Sequence, residues 1–201
     1  ITNGFDWNLK LGQNAYSVVG FFAHSHTENG AGDRIHGSAG RMNFSRIAAE
    51  HWLWSLDGRY VSKRYNINDV GFFFRPDGYT GTGTISYKED EPSAVVRDYS
   101  VSFKLTEFRN LAGISLQREL RLDSRALLLN YWQMTASLSS DFGMYDDRET
   151  RGNGLYRRPA SYVAGISLST DSRNDLVGET GQQVGWDEKR KFLWASEAEV
   201  V

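Results

Sequence analysis

Cysteine is absent from the 201 residues, which excludes a disulfide framework and any metal site built on thiolates. No run approaches the roughly 18 to 20 apolar residues that a spanning helix needs. A strand crosses a bilayer with only about 9 to 11 residues of alternating character, so this second absence leaves a β-barrel open. Neither sign of charge is in excess: 23 Lys and Arg stand against 25 Asp and Glu, a net charge of -2. The basic footprint of a nucleic-acid binder is therefore missing, and no nucleic-acid partner is expected. Catalytic signatures are missing too. No Gly-x-Ser-x-Gly elbow occurs, Gly81-Thr82-Gly83 is followed by no helix and so is no phosphate loop, and nothing fixes a pair of carboxylates across a cleft. No enzymatic activity and no cofactor are expected. The chain starts at Ile1 without a signal peptide and stops abruptly after Ala198-Glu199-Val200-Val201, so residues 1–201 are expected to be one segment of a longer polypeptide.

What is present is period-two alternation. With 40% hydrophobic and 13% aromatic residues, the chain is too rich in Trp, Tyr and Phe for disorder. Residues 5–11 alternate Phe5, Trp7, Leu9 and Leu11 with Asp6, Asn8 and Lys10, and 15–24 return after the turn Gly12-Gln13-Asn14. Further strands are read at 39–48, 51–61, 78–88, 98–108, 112–123, 126–139, 161–170 and 191–200. Asp123-Ser124 is read as a tight turn, 28–37, 141–158 and 171–188 as long polar loops, and Pro76 confines any ladder near it to a strand end. Several strands reach ten residues or more, whereas sandwich strands average about five or six. Long strands joined alternately by short turns and long loops predict an all-β, antiparallel, up-and-down transmembrane β-barrel, here a partial barrel of about ten strands. Tyr60, Tyr131, Trp132, Phe142, Tyr145, Tyr156 and Tyr162 fall near strand ends, as interfacial girdles require. Trp52, Trp54, Leu56, Tyr99, Val101, Phe103, Leu105, Ile166 and Leu168 are expected to face lipid; Asp57, Arg59, Ser100, Ser102, Lys104, Gln117 and Glu119 are expected to face the lumen. Arg118 interrupts an apolar face and must snorkel or lie near a rim. The competing architecture is a soluble β-sandwich.

The longest charged interruption is the stretch from Asp146 to Pro159. Its Arg148, Arg151, Arg157 and Arg158 are candidates for binding a phosphate or carboxylate, which guanidinium groups grip bidentately. The same arginines could instead order the loop against Asp146, Asp147 and Glu149, or line a lumen; if they order it, Arg151→Ala should loosen the loop. Asp146, Asp147 and Glu149, or Asp171, Asn174 and Asp175, offer oxygen ligands to calcium but lack the EF-hand spacing. His24 and His26 share one strand face, with His36 across the following loop; a metal site is conceivable, but no nearby carboxylate completes a known spacing and solvated histidines are expected.

Three motifs carry a resemblance. Asn68-Asp69-Val70-Gly71-Phe72 with Arg75-Pro76-Asp77, then Arg148-Glu149-Thr150-Arg151-Gly152-Asn153-Gly154 with Arg158-Pro159-Ala160-Ser161, then Leu168-Ser169-Thr170-Asp171-Ser172-Arg173, occur in the order and spacing of the DUF5916 family. The chain resembles the C-terminal barrel region of that family over about two-thirds of its length. Where the family usually reads Arg-Gly-Gly-Pro, this chain has Arg151-Gly152-Asn153-Gly154. The resemblance implies a bacterial outer-membrane barrel similar to TonB-dependent receptors, usually joined to a family 9 carbohydrate-binding-like domain, which this sequence lacks. Outer-membrane lipid and a glycan or peptide ligand are the partners it implies, with surface binding or passage as the role. The alternative function is a soluble carbohydrate-recognition module attached to a hydrolase, stacking exposed aromatics on sugars.

Overall fold

A computed structural model of the chain describes residues 1–28, 32–66 and 75–200. Eleven strands form one antiparallel sheet in which every strand pairs with its neighbours in sequence order: β1 (Thr2–Leu11), β2 (Tyr16–Glu28), β3 (Arg34–Arg46), β4 (Trp52–Val61), β5 (Gly78–Glu89), β6 (Val96–Arg109), β7 (Ser115–Leu128), β8 (Gln133–Asp141), β11 (Ser161–Ser169), β12 (Gly178–Asp187) and β13 (Phe192–Val200). The connection between β8 and β11 carries a separate two-stranded ribbon, β9 (Tyr145–Asp146) with β10 (Tyr156–Arg157). No helix occurs among the described residues, and β1 does not pair with β13, so the sheet is open. In place of two packed sheets there is a single layer.

Three expectations are corrected. Asp123-Ser124 is no turn: β7 runs through it to Leu128, because Asp123 keeps the polar alternation by lying two residues from Arg121 and accepting its Nε–H at 2.8 Å. The reversal comes at 129–132, where Tyr131 has φ 63° and Asn130 Oδ1 accepts the Trp132 N–H. The polar stretch 171–188 is mostly strand. Its three glycines and two glutamines are weak strand formers, but β12 has a ladder on both sides, which decides its conformation. Lastly, β3 begins at Arg34, inside the segment read as a loop.

Residues directly opposite in an antiparallel ladder share a face, so the register sorts every strand residue. One face carries Phe5, Trp7, Leu9 and Leu11 on β1, Trp52, Trp54, Leu56 and Tyr60 on β4, Tyr99, Val101, Phe103 and Leu105 on β6, Leu120 and Leu122 on β7, Leu138 on β8, and Ile166 on β11. The other carries Asp57 and Arg59, Thr80, Thr82 and Thr84, Ser100, Ser102 and Lys104, Gln117 and Glu119, and Thr135, Ser137 and Ser139. The expected partition of the two faces is the one observed. The apolar face is uncovered: Leu56 is 59% exposed and Ile166 52%.

The polar face is partly covered. Residues 62–66 fold back over β2–β4, where Tyr65 packs with Ala39, Val61 and Ala23, and the Asn66 N–H donates to Ser25 Oγ at 3.1 Å. Gly37 permits this approach, because a Cβ there would lie 2.2 Å from the Tyr65 nitrogen.

Candidate functional site

The two longest connections, 62–77 and 142–160, leave the sheet at the same end, and the short β6–β7 turn at 110–114 lies between them. Asp147 joins all three. Its two carboxylate oxygens accept from Arg75 Nη2 at 2.7 Å each, and Oδ2 also accepts from Asn110 Nδ2 at 3.0 Å. Asn110 is buried and holds its own turn closed, its Oδ1 accepting the N–H groups of Ala112 and Ile114. Arg75 also lies over the Phe108 ring, 5.2 Å from its centroid. Partial burial would raise the Asp147 carboxyl, but the Arg75 and Asn110 donors outweigh it and hold the group below its ordinary range.

The ribbon is built on Asp146. Its Oδ1 accepts the N–H groups of Arg148 at 2.8 Å and Glu149 at 3.0 Å, while Oδ2 pairs with the Arg158 guanidinium. Those donors, the Arg148 amide first and then Arg158, lower the carboxyl to about 2. At the base of the loop Gly143, φ 66°, is crowded by the backbone of Arg158 and Ala160, so the two arms touch there.

The four candidate arginines therefore divide. Arg158 is committed to Asp146, and Arg157 reaches Glu188 at 3.6 Å, in the β12–β13 turn. The side chains of Arg148 and Arg151 are exposed and have no partner among the described residues. Asp147, expected to pair within its own loop, is held by Arg75 from another connection. Sequence reasoning missed that link. Its only trace was that Arg75 and the loop arginines fall in two of the three motifs quoted above. The remaining motif residues, Asn68 to Phe72, lie outside the described residues.

The other candidates are placed as follows. Asp171 accepts the Nε, Nη2 and N–H of Arg173 at 2.8, 2.6 and 3.0 Å, which lowers it to about 2 and commits both of its carboxylate oxygens to Arg173 rather than to an ion. Arg173 in turn lies over the Tyr131 ring at 3.2 Å, and Arg97 donates to Tyr131 Oη at 2.7 Å, a cluster at the opposite end of the sheet. Arg118 does sit near a strand end, where its Nε donates to Glu107 at 2.6 Å and Arg109 shares the same carboxylate. His24, His26 and His36 come together: His26 and His36 are directly opposite, and His24 Nε2 lies 3.4 Å from His36 Nδ1. No group of three or more His, Asp or Glu side chains among the described residues converges as a metal cage.

The family described as a domain of unknown function (DUF5916) matches residues 2–197. The chain belongs to the DUF5916 family. No curated protein and no solved structure matches it. The match runs from the start of β1 into β13, so it covers the other ten strands of the sheet and the connections between them.

Proposed function

We propose that this DUF5916 chain forms part of a bacterial outer-membrane β-barrel that supports surface binding or passage of a glycan or peptide ligand, without chemistry of its own. The observation that carries the reading is the slope of the apolar band. On β4 and β5 the band is bordered by the pairs Tyr60–Tyr79 at one end and Trp52–Tyr87 at the other. On β11–β13 the first border is Tyr162–Trp186–Phe192, a row that runs through Ser140, Leu120, Leu105 and Gly83 to Leu56, four residues inside Tyr60. At the other end the border moves the same way. Tyr99 lies opposite Glu89, two residues beyond Tyr87, and Trp132 lies two residues beyond Met134, which shares the row of Tyr99.

Four residues are about 13 Å of strand, and the shift accrues over four or five strands spaced about 4.8 Å apart, so the band crosses the strands at about 30 to 35°. A soluble sheet has no reason to slope both edges of an apolar stripe together, whereas barrel strands tilt about 35 to 45° to the membrane normal. Glu107, Arg109 and Arg118 fall on the sloping border, where charge reaches water.

Eleven meander strands leave the first and last running in the same direction. Closure with antiparallel pairs throughout takes an odd number of further strands, which fits a segment of a larger, even-numbered barrel. The end with the two long connections is the outward one, since outer-membrane barrels keep short turns inside. The hydroxyl-rich polar face, where Thr135 and Ser167 hydrogen-bond at 2.7 Å, suits a polar ligand such as a glycan, the class that the resemblance drawn from the sequence implies.

The test is tryptophan quenching by lipids brominated on their acyl chains. Intact protein reconstituted in such vesicles should lose most of its emission, because Trp52, Trp132 and Trp186 border the band. A monodisperse, folded protein in detergent-free buffer would overturn the reading.

A further inference from the structure

We infer that His24 and His36 form a binding site for a borderline transition-metal ion, Zn²⁺, Cu²⁺ or Ni²⁺, with His26 able to supply a third nitrogen. Four histidines occur in the chain, and three of them meet here. They are placed by register rather than by loop conformation. His24 and His26 are two residues apart on one face of β2, and His36 is the cross-strand partner of His26 on β3. Two nitrogens bound tetrahedrally to one zinc at about 2.0 to 2.1 Å lie about 3.3 to 3.4 Å apart. The His24 Nε2 to His36 Nδ1 separation is 3.4 Å.

In the metal-free protein the two ring nitrogens share a hydrogen bond whose donor is set by the tautomers. An ion replaces the bridging proton when the donating ring moves its hydrogen to its other nitrogen, a tautomer change through water with no net proton lost. The His26 ring stands edge-on to His36 with centroids 4.6 Å apart, so a rotation about its side-chain bonds, rather than a backbone movement, brings a third imidazole to the ion; water fills the remaining positions. Imidazole donors without carboxylates select copper, nickel and zinc over magnesium and calcium. Access is open, since His36 is exposed and the cluster lies two to four residues past the aromatic row of Phe5, Phe22 and Tyr60.

The test is calorimetric titration of intact protein without a polyhistidine tag, in the detergent or lipid that keeps it folded, with Cu²⁺, Ni²⁺, Zn²⁺ and Mg²⁺. One transition-metal ion per chain and no Mg²⁺ at this site are expected. His24→Phe and His36→Phe each keep a ring on the same face while removing the nitrogen, and each should weaken binding at least about tenfold, or about 1.4 kcal/mol. His26→Phe should weaken it less, and His51→Phe, on β3–β4's connecting turn, should leave it unchanged. Bound Cu²⁺ should show nitrogen hyperfine splitting in its EPR spectrum. Absence of binding in the wild type, or equal binding by the His24→Phe and His36→Phe variants, overturns the site.

Discussion

The two faces of the sheet differ in what touches them, and the difference explains the composition of the chain. The polar face is met by its own chain: Tyr65 lies on Ala39 and Val61, Ser25 is 1% exposed, and Arg41 pairs with Asp57. The apolar face, with Leu56, Ile85, Leu105 and Ile166 in its middle rows, is met by nothing described. The proposed barrel accounts for this direction of burial, since its apolar face would meet lipid. The contrast weakens toward one edge, where Gln182 and Ser196 lie on the apolar side and bond each other at 2.7 Å, with Trp194 Nε1 donating to Gln182 at 3.0 Å. Those polar groups satisfy one another, as the proposed lipid surroundings would demand.

The largest effect that would break this contrast is a charge in the middle of the apolar face. Phe103 lies midway on β6, four residues from Tyr99 at one border and four from Glu107 at the other, and Phe103→Arg should destabilise the protein in lipid vesicles by about 2 to 4 kcal/mol. On the other face of the same strand Ser102 sits opposite Asp123, so Ser102→Arg should change stability by less than about 1 kcal/mol. Urea unfolding of both variants in vesicles measures the difference; equal losses would mean that the two faces meet the same surroundings.

A glycine pair sharpens the comparison. Gly37→Val pushes a side chain into the Tyr65 backbone on the polar face and should cost about 1 to 3 kcal/mol, with residues 62–66 displaced. Gly58, on the apolar face of β4, has nothing within 4 Å of an added Cβ, so Gly58→Ala should be neutral or slightly stabilising. Hydrogen exchange at Asn66, whose N–H is held by Ser25, separates the two outcomes.

Acid should release the 142–160 connection. The Asp146 carboxyl is lowered to about 2 and Asp147 is lowered as well, so each stabilises its folded partners fully above the ordinary carboxylate value near 4. Their contribution is lost as pH falls from about 4 towards about 2. Pepsin, which works in that range, should therefore cut within 142–160 increasingly as pH drops through the window. Asp147→Asn, which cannot ionise, should be cut faster than wild type at pH 4 and should flatten the pH dependence.

Most of the fold was legible because side-chain alternation repeats along nearly every strand, and register followed from it once the neighbours were consecutive. Legibility failed where alternation was interrupted for local reasons. Asp123-Ser124 looks like a turn only if the pairing of Asp123 with Arg121 is unknown, and the Gly-rich β12 looks like a loop only if its two flanking ladders are unknown. The slope of the aromatic borders could not be read at all before the register was fixed, since it compares residues on strands more than a hundred positions apart. At the site, the positions of the loop arginines were legible and their partners were not. Asp147 takes Arg75, 72 residues away in sequence, because two long connections share one end of the sheet.

The smallest expected effect concerns Arg151. It sits in the turn closed by the Asn153 N–H to the Thr150 carbonyl at 3.1 Å, has φ 53°, and makes no side-chain contact with a partner among the described residues. The loop is held elsewhere, by Asp146 with Arg158 and by Asp147 with Arg75. Arg151→Ala should therefore leave protease sensitivity and loop hydrogen exchange unchanged and alter stability by less than about 0.5 kcal/mol, whereas Arg158→Ala should expose the loop to cleavage. This reverses the expectation that Arg151 orders the loop. It also isolates a binding role, because Arg148 and Arg151 are the two guanidinium groups at the tip that the fold does not use. If Arg151→Ala removes binding of an anionic oligosaccharide by the intact protein while the loop stays ordered, and Arg151→Lys restores little of it, the tip recognises its ligand bidentately. Unchanged binding in Arg151→Ala and in the Arg148→Ala, Arg151→Ala double variant would remove the tip from the ligand path and leave the hydroxyl-lined polar face to carry it.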